Sequence, residues 1–207
     1  MTGYVSRIAG SARPCLTDTV RGSPGADDNG TGIAGLLEIS RLLAGHRFRR
    51  SVVLAATDFE EFDVIGSRHL VPWLTDRYRV LGAIVYDSIG YTDRTPGAQH
   101  IPFIVGPVFP QQMSRLRRRG NAADMVCSIY RSSSLPLVRR WARCLAATVG
   151  RDRILLLRDP LDLPLIGRLL ARIPGAGDFS RSDHVSFWRA GIPAIHVNDT
   201  ANFRNPH

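Results

Sequence analysis

The sequence contains no lysine: all 27 of its basic residues are arginine. One basic residue used throughout reflects codon composition more than a specialised surface, so the formal net charge of +9 does not by itself announce a polyanionic partner. The densest basic cluster, Arg115, Arg117, Arg118 and Arg119, has no interleaved aromatics to stack on bases. No nucleic-acid partner is expected. Cysteine is scarce as well. Cys15, Cys127 and Cys144 are odd in number and lack metal-type spacing, which excludes a disulfide framework and a zinc knuckle and leaves buried thiols as the expectation. No run of about 18 apolar residues occurs, so no transmembrane helix is expected. The opening "MTGYVSRIAGSARPC" lacks the continuous apolar stretch of a signal peptide, and a cytoplasmic location is expected for the chain as it stands.

What is present suffices for one full-sized domain. A chain of 207 residues, 44% hydrophobic and 22% charged, can bury a sizeable core. Apolar residues Ile33, Leu36, Leu37, Ile39, Leu42 and Leu43 recur at helical spacing and predict a helix over 30–44, capped by Asn29 or Thr31. "SVVLAAT" (51–57), "LGAIVYD" (81–87), "IPFIVG" (101–106) and "IPAIHV" (192–197) read as short buried strands. Helices are predicted over 65–76, 110–119, 132–149, 162–172 and 182–191, while 152–159 fits either state. Strands alternating with helices predict an α/β fold, a mainly parallel mixed sheet flanked by helices.

In such sheets, sites form beyond the carboxyl ends of the strands. Glu60 and Glu61 follow the run 51–57, Asp87 ends the run 81–87, and Asp27 and Asp28 precede the helix at 30. Taken singly, each has a bland reading: a helix cap, a solvated loop, a turn. Taken together, clustered carboxylates repel unless protonated or neutralised by a cation. Two adjacent glutamates also supply what metal-assisted hydrolysis needs, one to ligate and its neighbour to act as general base.

"SPGADDNGTG", "ATDFEEFDVIGSRHLV", "YDSIGY" and "RSDHVSFWRAGIPAIHVNDTANFRNPH" follow one another as in the co-catalytic zinc aminopeptidases, the group that includes bacterial aminopeptidases, glutamate carboxypeptidase and glutaminyl cyclase. Residues 18–207 resemble that family. The resemblance implies a zinc-exopeptidase-like three-layer sandwich, two zinc ions, and release of N-terminal residues from a peptide substrate. It makes Asp28 the aspartate bridging both metals, with a cis peptide bond to Asn29. Glu60 becomes the general base, Glu61 a ligand of one zinc and Asp87 a ligand of the other. Asp27 and Asn29 shape the loop. Asp18 matches the aspartate of a His-x-Asp motif.

Two departures stand out. Leu16 occupies the histidine position of that His-x-Asp motif, and the second histidine of the family lies in a Tyr-His pair shortly after "FRNP". His207, the last residue, is the one candidate to substitute for it. His184 is expected to be a structural or pocket residue on its helix and not a ligand, and His196 to lie in the core; His46, His69 and His100 are expected on the surface. A carboxylate-only site loses zinc affinity and drifts towards magnesium, calcium or manganese. Residues 1–17 are too few for the strands that normally come first, so a truncated N-terminal segment, a domain over 18–207 truncated at its C-terminus and an exposed sheet edge are expected. The expected function is thus a metallo-aminopeptidase-like hydrolase impaired by the two missing ligands. The alternatives are a non-catalytic module that binds a peptide or amine, and an acyltransferase of the glutaminyl cyclase type. Family members are often exported, which leaves the compartment open.

Overall fold

The computed structural model describes residues 19–20, 22–101, 105–164, 167–173 and 175–204. Leu16, Asp18 and His207 lie outside the described residues. Four strands form one sheet: β1 (Ala83–Tyr86), β2 (Val126–Tyr130), β3 (Ile154–Arg158) and β4 (Ala194–Asn198), in the order β1-β4-β2-β3. β1 pairs parallel to β4 with Ala83 opposite Ala194 and Tyr86 opposite Val197. β2 and β3 are also parallel, while β2 meets β4 antiparallel, Cys127 opposite Asn198. The sheet is therefore mixed, with the reversal at its centre.

Seven α-helical segments accompany it: α1 (Gly30–Leu43), α2 (Ile65–Thr75), α3 (Val105–Val108), α4 (Pro110–Arg118), α5 (Leu135–Val149), α6 (Gly167–Leu170) and α7 (His184–Arg189). The pleat sorts β4 into two faces. Ile195 and Val197 pack with Val138 and Trp141 of α5. On the other face Cys127, Ile129, Leu155 and Leu157 pack against Val71 and Leu74 of α2, Met113 and Leu116 of α4, and Val185 and Trp188 of α7. Helices thus cover both faces, and every residue of β4 is buried.

Several expectations change. Residues 51–57 are not a strand: they are mostly exposed and join no ladder among the described residues, since a β-branched run becomes a strand only where a neighbour accepts its hydrogen bonds. Of the proposed strand 101–106, residues 102–104 lie outside the described ones, and Val105 opens the helical turn α3. Residues 154–158 resolve as a strand, and β2 is a strand that periodicity misses, because Cys127 and Ser128 break its apolar run. The helix expected over 162–172 shortens to α6, after a 3-10 turn at Pro160–Asp162. That over 182–191 shortens to α7.

Candidate active site

The site is assembled from three loops at the ends of β1 and β4. Asn29 fastens the first of them. Its Oδ1 accepts from Gly32 N (3.1 Å) and Ser88 N (3.3 Å), and its Nδ2 donates to Tyr86 O (3.1 Å). One amide therefore caps α1 and ties it to the end of β1, which sets Asp28 beside Asp87. The peptide bond from Asp28 to Asn29 is cis. A Cβ at Gly32 would collide with the Asn29 side chain, so the cap needs glycine there. Asp27 faces away from the cluster: its Oδ1 accepts from Gly90 N (3.0 Å), and Thr31 Oγ1 donates to its backbone oxygen (2.8 Å).

The second loop carries Glu60 and Glu61 between two residues of left-handed backbone, Phe59 (φ 54°) and Val64 (φ 51°). A β-branched residue in that region is strained, and such strain concentrates at functional loops. The loop closes on itself through Val64 N to Glu60 O (2.9 Å) and Gly66 N to Asp58 O (3.1 Å). Thr57 Oγ1 anchors it by donating to Asp183 at the start of α7. Burial raises the Asp183 carboxyl, bonds from Ser67 and Thr57 lower it, and the neighbouring Asp87 charge raises it again.

The third loop follows β4. His196 and Asn198 alternate with Ile195 and Val197, so both turn to the face of the acids, and His196 Nε2 lies 3.6 Å from Asp87 Oδ2. Burial pushes the Asp87 carboxyl up, but the His196 bond and charge, with bonds from Ser182 and Asp28, hold it below its ordinary value. The His184 ring stacks on His196 at 4.6 Å and meets Trp188 edge-on at 4.4 Å. Burial, then repulsion from His196, holds His184 well below the ordinary histidine range, so it stays neutral. Its Nε2 donates to Phe179 O (3.0 Å), which fixes the tautomer. His46, His69 and His100 are exposed.

These loops surround a cavity of about 300 Å³. Asp28, Glu60, Glu61, Asp87 and His196 stand on its wall, and Val105, Met113, Leu116, Leu157 and Phe179 make its interior apolar. The four acids singled out in the sequence are thus brought to one cleft. Among the described residues, however, no three histidine, cysteine, aspartate or glutamate side chains stand close enough together to hold a metal ion. The donors are nearly all carboxylate oxygens, and His196 is the imidazole beside them. That set does not fit a closed tetrahedral zinc site.

Residues 15–131 match the pattern of peptidase family M28, a span that includes all four acids. The chain belongs to peptidase family M28. Among its relatives, the uncharacterized protein YfbL of Escherichia coli (strain K12) is 32% identical over 94% of this chain and 54% of its own length. A probable zinc metalloprotease of Pyrenophora tritici-repentis is 28% identical over 89% of this chain and 36% of its own. The M28 chain therefore spans about half the length, or less, of these relatives. In fold it resembles BSAP, a zinc aminopeptidase from Bacillus subtilis (TM-score 0.56, 22% identity, 87% of this chain and 34% of that one). The aminopeptidase of Aneurinibacillus sp. strain AM-1 is equally similar (TM-score 0.56, 18% identity, 92% of this chain and 35% of that one). The α/β sheet described above is that of the zinc aminopeptidases.

Sequence reasoning missed His196 as a cleft residue, as well as Asn198 and Ser182. The period-two alternation of "AIHVN" was the available signal for the first two. Ser182 carried none, because only the packing of α7 brings it to Asp87.

Proposed function

We propose that this M28 chain is a metallo-aminopeptidase-like hydrolase domain that captures the amino end of a peptide, and that its hydrolytic step is impaired in the 207-residue chain as it stands. One observation carries the reading: Asp28, the pair Glu60 and Glu61, and Asp87, from three separate segments, line one cavity whose interior is apolar. The acids attract an N-terminal ammonium, the apolar wall takes the first side chain, and Glu60 is the proton acceptor for an attacking water. The described residues do not supply the imidazoles that give zinc its ordinary affinity, so no step is routed through a metal. Zinc, two ions by resemblance, remains the metal of the family reading, with low occupancy here. The same carboxylate-rich cleft also supports a second reading, a non-catalytic module that retains the fold and binds a peptide or amine.

The test is metal analysis of the purified chain together with turnover of amino-acid p-nitroanilides. The expected outcome is substoichiometric zinc and slow release. Leu16→His is expected to raise zinc content. Stoichiometric zinc with rapid turnover in the unaltered chain would refute the impairment. Unchanged zinc in the altered chain would refute the assignment of ligands.

A further inference from the structure

One buried hydroxyl on the wall of the cleft lacks a partner. Among the described residues, four buried side-chain atoms make no hydrogen bond: Asn121 Oδ1, Ser182 Oγ, Asp183 Oδ1 and His184 Nδ1. Of these residues, Ser182 is the one that lines the cavity. It is 3% exposed, so bulk water does not satisfy it. It stands beside Asp87 and helps to hold that carboxyl down, but no group lies in ordinary hydrogen-bond geometry around its oxygen.

The backbone behind the hydroxyl is fixed. Val185 N donates to Ser182 O at 3.1 Å where the chain enters α7, and His184–Trp188 of that helix are buried. Leaving a buried polar group unpaired is costly, and a ligand that supplies the missing bond accounts for one kept in a cleft wall. The surroundings select that ligand. Asp28, Glu60, Glu61 and Asp87 share the wall with Ser182, so a positively charged donor is favoured over an anion. The donor set does not fit zinc, whereas a primary ammonium brings three N–H groups and demands no fixed coordination geometry. Met113, Leu116, Leu157 and Phe179 make the space beyond it apolar.

We propose that Ser182 is a binding residue for the ammonium of a primary amine. The Ser182 hydroxyl donates to Asp87, its oxygen accepts from the ammonium, and the apolar side chain of the amine enters the cavity. The inference rests on the peptide-capture reading above. It adds the group that orients the amine at Asp87, and it makes the chain's own side chains sufficient to hold that amine.

Titration calorimetry in EDTA tests this with leucinamide and with isocaproamide, the same skeleton without the amine. Wild type is expected to bind leucinamide at least about tenfold tighter than isocaproamide. Ser182→Ala is expected to weaken leucinamide about tenfold, with a melting temperature within about 2 °C of wild type. Ser182→Thr, which keeps the hydroxyl, is expected to recover affinity to within about threefold of wild type. An affinity in Ser182→Ala within about twofold of wild type would leave the hydroxyl to solvent and overturn the assignment. A Thr variant as weak as the Ala variant would overturn it too. Leucinamide binding that appears only after zinc is added would overturn capture by side chains alone and leave peptide capture standing. No binding with or without zinc would overturn both.

Discussion

Asn29 uses both halves of its side-chain amide, one to cap α1 and the other to hold the end of β1. Residues on either side of it, Asp28 and Gly30, therefore take their positions from a group that is not itself in the chemistry. Asn29→Ala removes three hydrogen bonds at once and leaves the Ser88 and Gly32 donors without that partner. A loss of about 2 kcal/mol is expected, read as a lower urea midpoint at unchanged slope. Asp27 behaves differently from its neighbour, since its bonds to Gly90 and Thr31 serve the loop and not the cavity. Two adjacent aspartates thus divide by direction: backbone geometry turns one carboxylate to Asp87 and the other to Gly90.

At the scale of elements, the contrast between 51–57 and β2 is instructive. The first has the stronger strand composition yet stays outside the sheet, while the second, interrupted by Cys127 and Ser128, lies at its centre. Ser128 is accommodated because it accepts from Trp141 Nε1 at 3.0 Å, so a polar residue at a core position is satisfied. Helices fared better in the sequence, because a 3.6-residue apolar period is local, whereas a strand exists only through its neighbour. The segment from Arg47 to Asp58 is mostly exposed and has no ladder hydrogen bonds among the described residues. Trypsin is expected to cut first after Arg47, Arg49 or Arg50, before any arginine of α5 or β3. N-terminal sequencing of the earliest fragments checks this; first cleavage within Leu135–Arg158 would contradict it.

For the molecule as a whole, the joint between the first loop and the end of β4 makes stability depend on pH. Asp199 is buried, accepts from Tyr91 N (2.9 Å) and Ala201 N (2.8 Å), and lies beside Asp27. Burial raises its carboxyl, the Ala201 bond lowers it, and the Asp27 charge raises it again, to about 7. An unfolded aspartate titrates near 3.9, so the folded state holds this proton more tightly. The stabilisation it brings is full below about pH 4 and is lost as pH rises to about 7. Wild-type melting temperature minus that of Asp199→Asn is expected to fall between pH 5 and pH 8; a flat difference would contradict the assignment.

The sequence by itself determined the α/β class, most of the helices and the identity of the four acids, because these rest on local periodicity and on residue type. Tertiary structure decided the rest: which apolar runs pair, the antiparallel pairing at the centre of the sheet, and His196 against Asp87. These depend on residues far apart in the chain meeting at one place, and only packing of α7 and β4 against the other loops brings them there.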